Sequence, residues 1–467
     1  MTFTSLTFFI FLATLFAIYY AASFSGFFQL ALLVVASGVF YAWDNPRLLL
    51  LLIAVGLLAG TASFAIDRIA GQAPRMMILT ASIASLLGVL GFFKYGGLFY
   101  ETLAGAGRNP QWEKFFLGIP LPIGISFYVF HAISLLVDVH RGLYRPARGA
   151  SLAAHLTRTG FYISFFPQLI AGPIAKARFF YPQIARKTFA DIDCQAVLHC
   201  LVLGYFLKLV VADNLAVETL KMSRPFFEAL PGRELVMLML AYSCQIFADF
   251  FGYSLMAMGF AALFGYKLPQ NFNRPYIAAS FSEFWQRWHM SLSAWLRDYL
   301  YIPLGGSHKG KLRTYMNLFI VMFLGGLWHG AAWSFAIWGS LHGAALAIER
   351  PFLGSALYRS EQTAARMARM GLVFCVVTLA WLFFRLGNYT EAFAYLGAMG
   401  RHLRAWVPPR TQWNIFIYCL PVLAYHALPL VRGLFDKPLA RTSAYAVMLF
   451  LIITNSGVPG AFIYFRF

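Results

Sequence analysis

Long apolar runs recur from one end of this 467-residue chain to the other. A stretch of about 18–20 apolar residues is enough to carry a helix across a hydrocarbon core ~30 Å thick. In that solvent every backbone N–H and C=O needs an internal partner, so only helices and closed barrels can span it. The runs are continuous and lack the period-two alternation of a barrel wall. The chain is therefore expected to be an all-α, polytopic integral membrane protein. Composition agrees, with 60% hydrophobic and 12% charged residues, against about a quarter charged in soluble domains.

Candidate spans fall at 5–22, 26–43, 48–66, 77–98, 119–139, 196–212, 235–264, 315–348 (two passes or one broken helix), 368–387, 412–430 and 443–462. The polar stretches 101–115 and 349–367 read as loops, and residues 1–467 read as one membrane domain without internal repeats. The first apolar run lacks a basic n-region and a second follows at once, so it is expected to be an uncleaved span rather than a signal peptide.

The net charge of +19 does not point to nucleic acid, because no soluble domain carries a basic face. The cations sit in short loops: Arg141, Arg145, Arg148 and Arg158, then Lys176, Arg178, Arg186 and Lys187, then Lys309, Lys311 and Arg313. Cytoplasmic loops have this bias. Cys194, Cys200, Cys244, Cys375 and Cys419 are scattered without metal-ligand spacing and read as small buried hydrophobes. No metal site is expected.

Two segments interrupt the pattern. Gly160–Ile174 is apolar but short, holds Pro167, Gln168, Gly172 and Pro173, and is flanked on both sides by basic residues. A re-entrant loop fits, which requires burial in protein or a wet cavity. Phe281–Tyr301 is too polar and Trp-rich to face lipid. It is read as one helix, capped by Ser280 or Ser282, with a Glu283–Arg287 pair at i,i+4 and with Arg287 and Asp298 on one face. Trp285, Trp288 and Trp295 are expected at the headgroups or as walls of an internal chamber.

The segment 315–348 is too long for one straight crossing, and Gly325-Gly326 is the expected break. Such a break would leave free backbone N–H groups beside His329. His329 is the first candidate for chemistry. An imidazole is a common general base toward a hydroxyl; the alternative is a histidine hydrogen-bonded to a neighbouring helix. Gly326 and Gly330 open its backbone to a substrate, and Trp328 and Trp333 are expected as an aromatic collar. His289 is the second candidate, to orient a substrate, assist proton movement or hold an acyl carbonyl; the alternative is an interfacial, solvated histidine.

Asp249 lies within an apolar run, where a carboxylate is functional or paired. Arg274, Arg287 and Arg297 are its expected partners, and Asp298 is expected to pair with Arg297. Gln168 and Pro173, with Lys176 and Arg178 after them, are candidates for the mouth of a tunnel that takes a phosphate-bearing donor, or for ordinary cytosolic charge. His131, His342 and His426 lie in apolar runs without polar company, and His140, His155, His199, His308 and His402 lie near loops; all are read as structural. Zinc-protease, P-loop, GxGxxG and GxSxG motifs are absent.

These features occur in a recognisable order. LPIGISFYVFHAIS at 121–134, FFPQLIAGPI at 165–174, FADFFGYSLMAMG at 247–259 and LPQNFNRPY at 268–276 are followed by FWQRWHMSLSAWLRDYLYIPLGG at 284–306 and NLFIVMFLGGLWHGAAW at 317–333. In this the chain resembles the membrane-bound O-acyltransferase family. It is most similar to the bacterial branch whose members acetylate alginate, cellulose and peptidoglycan or transfer D-alanine to teichoic acid. The resemblance is densest at 121–349, and the expected catalytic core is about 119–349. Leu255 after Gly-Tyr-Ser and Phe251 before it depart from the alginate-type pattern.

By position, His329 matches the family's invariant histidine and His289 its second histidine, which many eukaryotic members replace by asparagine. The resemblance implies a ring of transmembrane helices around a thin partition, with a tunnel reaching His329. Trp328, Gly325, Gly326, Gln168, Asp249, Trp285, Arg287 and Trp295 are its candidate lining. It also implies an O-acetyltransferase of the bacterial inner membrane, relaying acetyl from a cytosolic donor, acetyl-CoA, to an exported polysaccharide of the cellulose or alginate type. No bound cofactor is expected. The implied partners are a periplasmic or membrane-anchored acetyltransferase, the exopolysaccharide machinery and membrane lipid. The rival readings are a transporter or export channel, a scaffold for a soluble acetyltransferase and, within the family, a protein or lipid acyltransferase that uses long-chain donors.

Overall fold

The computed structural model describes residues 1–104, 109–146, 149–355, 358, 360, 362–401, 409–427, 437–458, 460 and 462. Arg148, His402 and parts of the expected spans 412–430 and 443–462 lie outside them. The described residues form helices and connecting turns without a strand. Among the described residues five helices are long and apolar enough to cross a membrane: Leu48–Arg68, Gln72–Leu103, Cys194–Met222, Gly232–Leu263 and Thr363–Leu386. The chain is a multi-pass membrane protein of all-α class. Two compact units are present, Met1–Cys200 with Met256–Pro269, and Leu201–Leu255 with Gln270–Phe467.

In the first unit, Ser5, Ser25 and Ser151 each accept a backbone N–H at the start of Leu6–Ala21, Gly26–Ala42 and Leu152–Ser164, supplying the partner that a helix N-terminus lacks. Leu48–Arg68 packs along both Ile125–His140 and Leu152–Ser164. Ile125–His140 is buried along nearly its whole length. It starts at Gly124, whose φ of +77° and closeness to the Leu169 carbonyl leave no room for a Cβ.

The expected re-entrant stretch begins inside the Leu152–Ser164 helix, turns at Phe165 and continues as a single helical turn, Phe166–Leu169. Residues 161–175 are all buried, as irregular backbone at depth must be. Side chains satisfy it. Gln168 Nε2 donates to the Tyr162 carbonyl at 2.8 Å, Tyr162 Oη to the Ala175 carbonyl at 2.8 Å, and the Phe166 N–H to Ser37 Oγ at 3.1 Å.

In the second unit, Lys311–His329 and Trp333–Glu349 are joined by Gly330–Ala332 and pack antiparallel. This resolves the expected long segment as two helices. The break, however, is not at Gly325-Gly326, which stay helical. A methyl on Gly326 would strike the Phe335 carbonyl and Gly339, and one on Gly339 would strike the Met322 carbonyl. The glycines let two helices touch backbone to backbone, and the expected cluster of free N–H groups at Gly325-Gly326 does not form. Helices that were not anticipated include Pro110–Leu117, mostly within a stretch read as loop, Leu152–Ser164 and Tyr389–Met399.

Candidate functional site

The polar segment Phe281–Tyr301 is not one helix. Phe281–Arg287 ends at Trp288, His289 adopts a left-handed conformation (φ 43°, ψ 52°), and Met290–Leu296 begins a new direction. A non-glycine residue in this region costs roughly 1–2 kcal/mol and persists only where its surroundings enforce it. Arg287 and Asp298 therefore do not share a helix face. The local expectations fare better: Ser280 Oγ accepts from the Glu283 N–H at 2.9 Å, Arg287 pairs with Glu283 at 2.7 Å, and Arg297 with Asp298 at 2.8 Å.

Glu349, at the end of the Trp333–Glu349 helix, accepts the Phe281 and Ser282 N–H groups at 2.7 and 3.0 Å. A buried carboxylate at a helix start satisfies orphan donors and complements the dipole. It fixes the first short helix to the hairpin that carries His329.

His329 is the last residue of Lys311–His329 and is 3% exposed. Its ring lies 5.0 Å from Trp328, 5.1 Å from Trp338 and 5.3 Å from Phe384, each edge to face. His289 is fully buried, with its ring 6.3 Å from that of His329, 4.6 Å from Phe250 and 6.0 Å from Trp328. Two imidazoles thus share one aromatic enclosure. The expected collar is half right: Trp333, the first residue of its helix, is 46% exposed. Trp338 takes the place assigned to it, because a helix beginning at Trp333 turns position 338 back toward His329.

Trp285 packs edge to face on Trp338 at 5.8 Å and on His342 at 5.0 Å. Trp295 is buried against Tyr299, and Gly325 faces Leu296 on the same short helix. Arg287 is held at the edge, its Nη1 donating to the Asn273 carbonyl at 3.1 Å. Gln168 belongs to the first unit and the two histidines to the second.

Asp249 pairs with Lys208 at 2.8 Å, not with the expected arginines. Lys208 sits in the π-helical stretch Phe206–Ala212 and also binds Asp213 at 2.8 Å. Gly252, one turn after Asp249, lies against the Gly204 carbonyl and the Lys208 N–H, closer than a Cβ would allow. This close approach brings the Asp249 carboxylate to the amine. Arg287 and Arg297 are already taken by acidic neighbours.

Sequence reasoning passed over Trp338, Phe384, Phe250, Lys208 and Asn271. Lys208 carried a signal as a lone cation in an apolar run, and Phe250 and Asn271 lie within the family-like motifs at 247–259 and 268–276. His342, read as structural, is buried against Trp338, with neither ring nitrogen hydrogen-bonded among the described residues.

An all-helical membrane protein with two buried histidines in an aromatic enclosure is the class that fold and site define. Comparison with known proteins sharpens it. The model of the membrane-bound O-acyltransferase family matches residues 154–388. A probable alginate O-acetylase of Pseudomonas syringae is 37% identical over 380 residues, covering 79% of this chain and 69% of the relative. A peptidoglycan O-acetyltransferase of Helicobacter pylori is 34% identical over 390 residues, covering 79% and 73%. A teichoic acid D-alanyltransferase of Bacillus subtilis is 31% identical over 232 residues, covering 47% and 56%. The chain belongs to the membrane-bound O-acyltransferase family and is an acyltransferase.

Proposed function

We propose that this protein is a membrane O-acetyltransferase of the bacterial inner membrane. It takes acetyl from a cytosolic thioester, acetyl-CoA, and relays it across the membrane to a hydroxyl on a partner protein, which esterifies an exported polysaccharide of the alginate or cellulose type. Relatives named for alginate and peptidoglycan O-acetylation support the acetyl group and the polysaccharide. The observation that carries the mechanism is the His289–His329 pair, two buried rings 6.3 Å apart with aromatic neighbours.

His329 is the proton acceptor, the usual role of an imidazole toward a hydroxyl. As the acceptor oxygen attacks the thioester carbonyl carbon, its proton passes to a ring nitrogen of His329. The tetrahedral intermediate collapses with cleavage of the C–S bond, and the imidazolium returns the proton to the departing thiolate. His289, on the facing side, orients the acyl carbonyl.

Polysaccharide O-acetyl content tests this, measured in cells lacking the gene and complemented with wild type, His329→Ala or His289→Ala at matched membrane abundance. Wild type restores the esters and His329→Ala does not. Full restoration by His329→Ala would sink the acyl-relay reading and leave a scaffold or export channel.

A further inference from the structure

The left-handed turn at His289 is held from outside its own helices. Asn271 is 1% exposed and lies on the loop that follows the long helix Gly232–Leu263. Its carbonyl accepts the Met290 N–H at 2.9 Å. Its Oδ1 accepts the Ser291 hydroxyl at 2.6 Å and faces the Ser291 N–H at 3.4 Å. Its Nδ2 donates to Ser254 Oγ on the long helix at 3.0 Å. One side chain and its own carbonyl thus grip the two residues directly after His289.

The other flank is gripped as well. The Asn273 N–H donates to the Arg287 carbonyl at 2.9 Å, and Arg287 Nη1 returns a bond to the Asn273 carbonyl at 3.1 Å. Between them Phe272 meets Trp288 edge to face at 5.0 Å. The loop runs alongside the kink, donating to the carbonyl left free where the first short helix stops and accepting from the N–H groups where the second begins.

These bonds bear on chemistry through Ser254. The long helix that carries Ser254 also carries Phe250, one turn earlier, whose ring stands edge to face against His289 at 4.6 Å. Asn271 therefore ties the backbone of the His289 turn to the helix whose side chain fixes the imidazole ring. Shifting either element alone breaks a buried hydrogen bond.

We propose that Asn271 is the positioning residue for His289, setting the separation of the two histidine rings, and that it acts only through His289. This rests on the functional reading of His289 given above. A misplacement of about 1 Å in a group at the reaction centre can lower turnover by about 100-fold without altering how substrate is recruited.

The test is transfer of radiolabelled acetyl from acetyl-CoA in membrane vesicles containing the full chain and its native polysaccharide system, at several donor concentrations. Asn271→Ala lowers kcat by about 100-fold with KM for acetyl-CoA unchanged, and in a His289→Ala background it removes nothing further. Residues acting through one group are non-additive, whereas independent structural damage adds. Ser291→Ala removes a single hydroxyl and carries the same test with a smaller loss, should Asn271→Ala not accumulate in the membrane. Wild-type turnover in Asn271→Ala and Ser291→Ala while His289→Ala is inactive overturns the positioning role alone, as does a loss that multiplies on His289→Ala. A fully active His289→Ala overturns the reading of His289 and the positioning role with it.

Discussion

The second unit keeps polar groups in its interior in two ways. Around Lys208 they are ions: the amine binds Asp213 and Asp249 at 2.8 Å each and the Gly460 carbonyl at 3.2 Å. Around His329 they are imidazoles among Trp328, Trp338, Phe384 and Phe250. The ionic cluster is self-compensating, so its members depend on one another for burial. The imidazoles are packed among aromatic rings instead of in a network of opposite charges. The first arrangement suits a fixed joint between helices, and the second suits a place where a proton arrives and leaves.

The contrast predicts opposite losses. The largest effect is on rate. His329→Ala lowers acetyl transfer by about 100- to 10,000-fold, the usual contribution of a general base, while detergent-solubilised protein melts within a few degrees of wild type. A parallel collapse of melting temperature and activity would erase the distinction between the two regions. Next is stability: Lys208→Ala strands two buried carboxylates and costs about 3–5 kcal/mol, read as lost membrane abundance and a lowered melting temperature. An abundant, fully active Lys208→Ala would show that the cluster is not a joint.

A smaller effect sharpens the comparison at the hairpin. Gly326→Ala pushes a methyl into the Phe335 carbonyl and Gly339. Overpacking of this kind costs about 1–3 kcal/mol, and because the strain falls one turn before His329, turnover drops as well. Gly371, which has nothing within reach of an added methyl, is the control: Gly371→Ala leaves both melting and turnover unchanged. Smallest is Glu283→Gln. Its pair with Arg287 is partly exposed, and such pairs contribute no more than about 1 kcal/mol, so melting moves little and acetyl transfer stays near wild type.

How much was legible in the sequence follows the range of the interactions involved. The membrane class, the Ser280 cap and the Glu283–Arg287 and Arg297–Asp298 pairs depend on neighbours a few residues apart, and each appears as read. The break at His289 was missed because Phe281–Tyr301 has acceptable helical spacing throughout; the loop at Asn271 bends it, and that contact is tertiary. Gly325-Gly326 was misread for the converse reason. Glycine pairs break helices and also let helices touch, and only the opposing Gly339 distinguishes the two. Lys208 was overlooked as the partner of Asp249 because the expectation considered arginines only, whereas the close approach at Gly252 decides the pairing. The family motifs pointed to His289 and His329, but not to Trp338 or Phe384, which reach the site from two further helices.

The contact of Gly326 with Gly339 has a consequence for how such an enzyme can diversify. Because the two helices meet main chain to main chain, the spacing between His329 and Trp338 is set by peptide geometry and not by any side chain that mutation could enlarge or trim. Substitutions of the other side chains around the two histidines leave this distance fixed. The centre behaves as a rigid cast, and new acceptors would have to be accommodated at its rim.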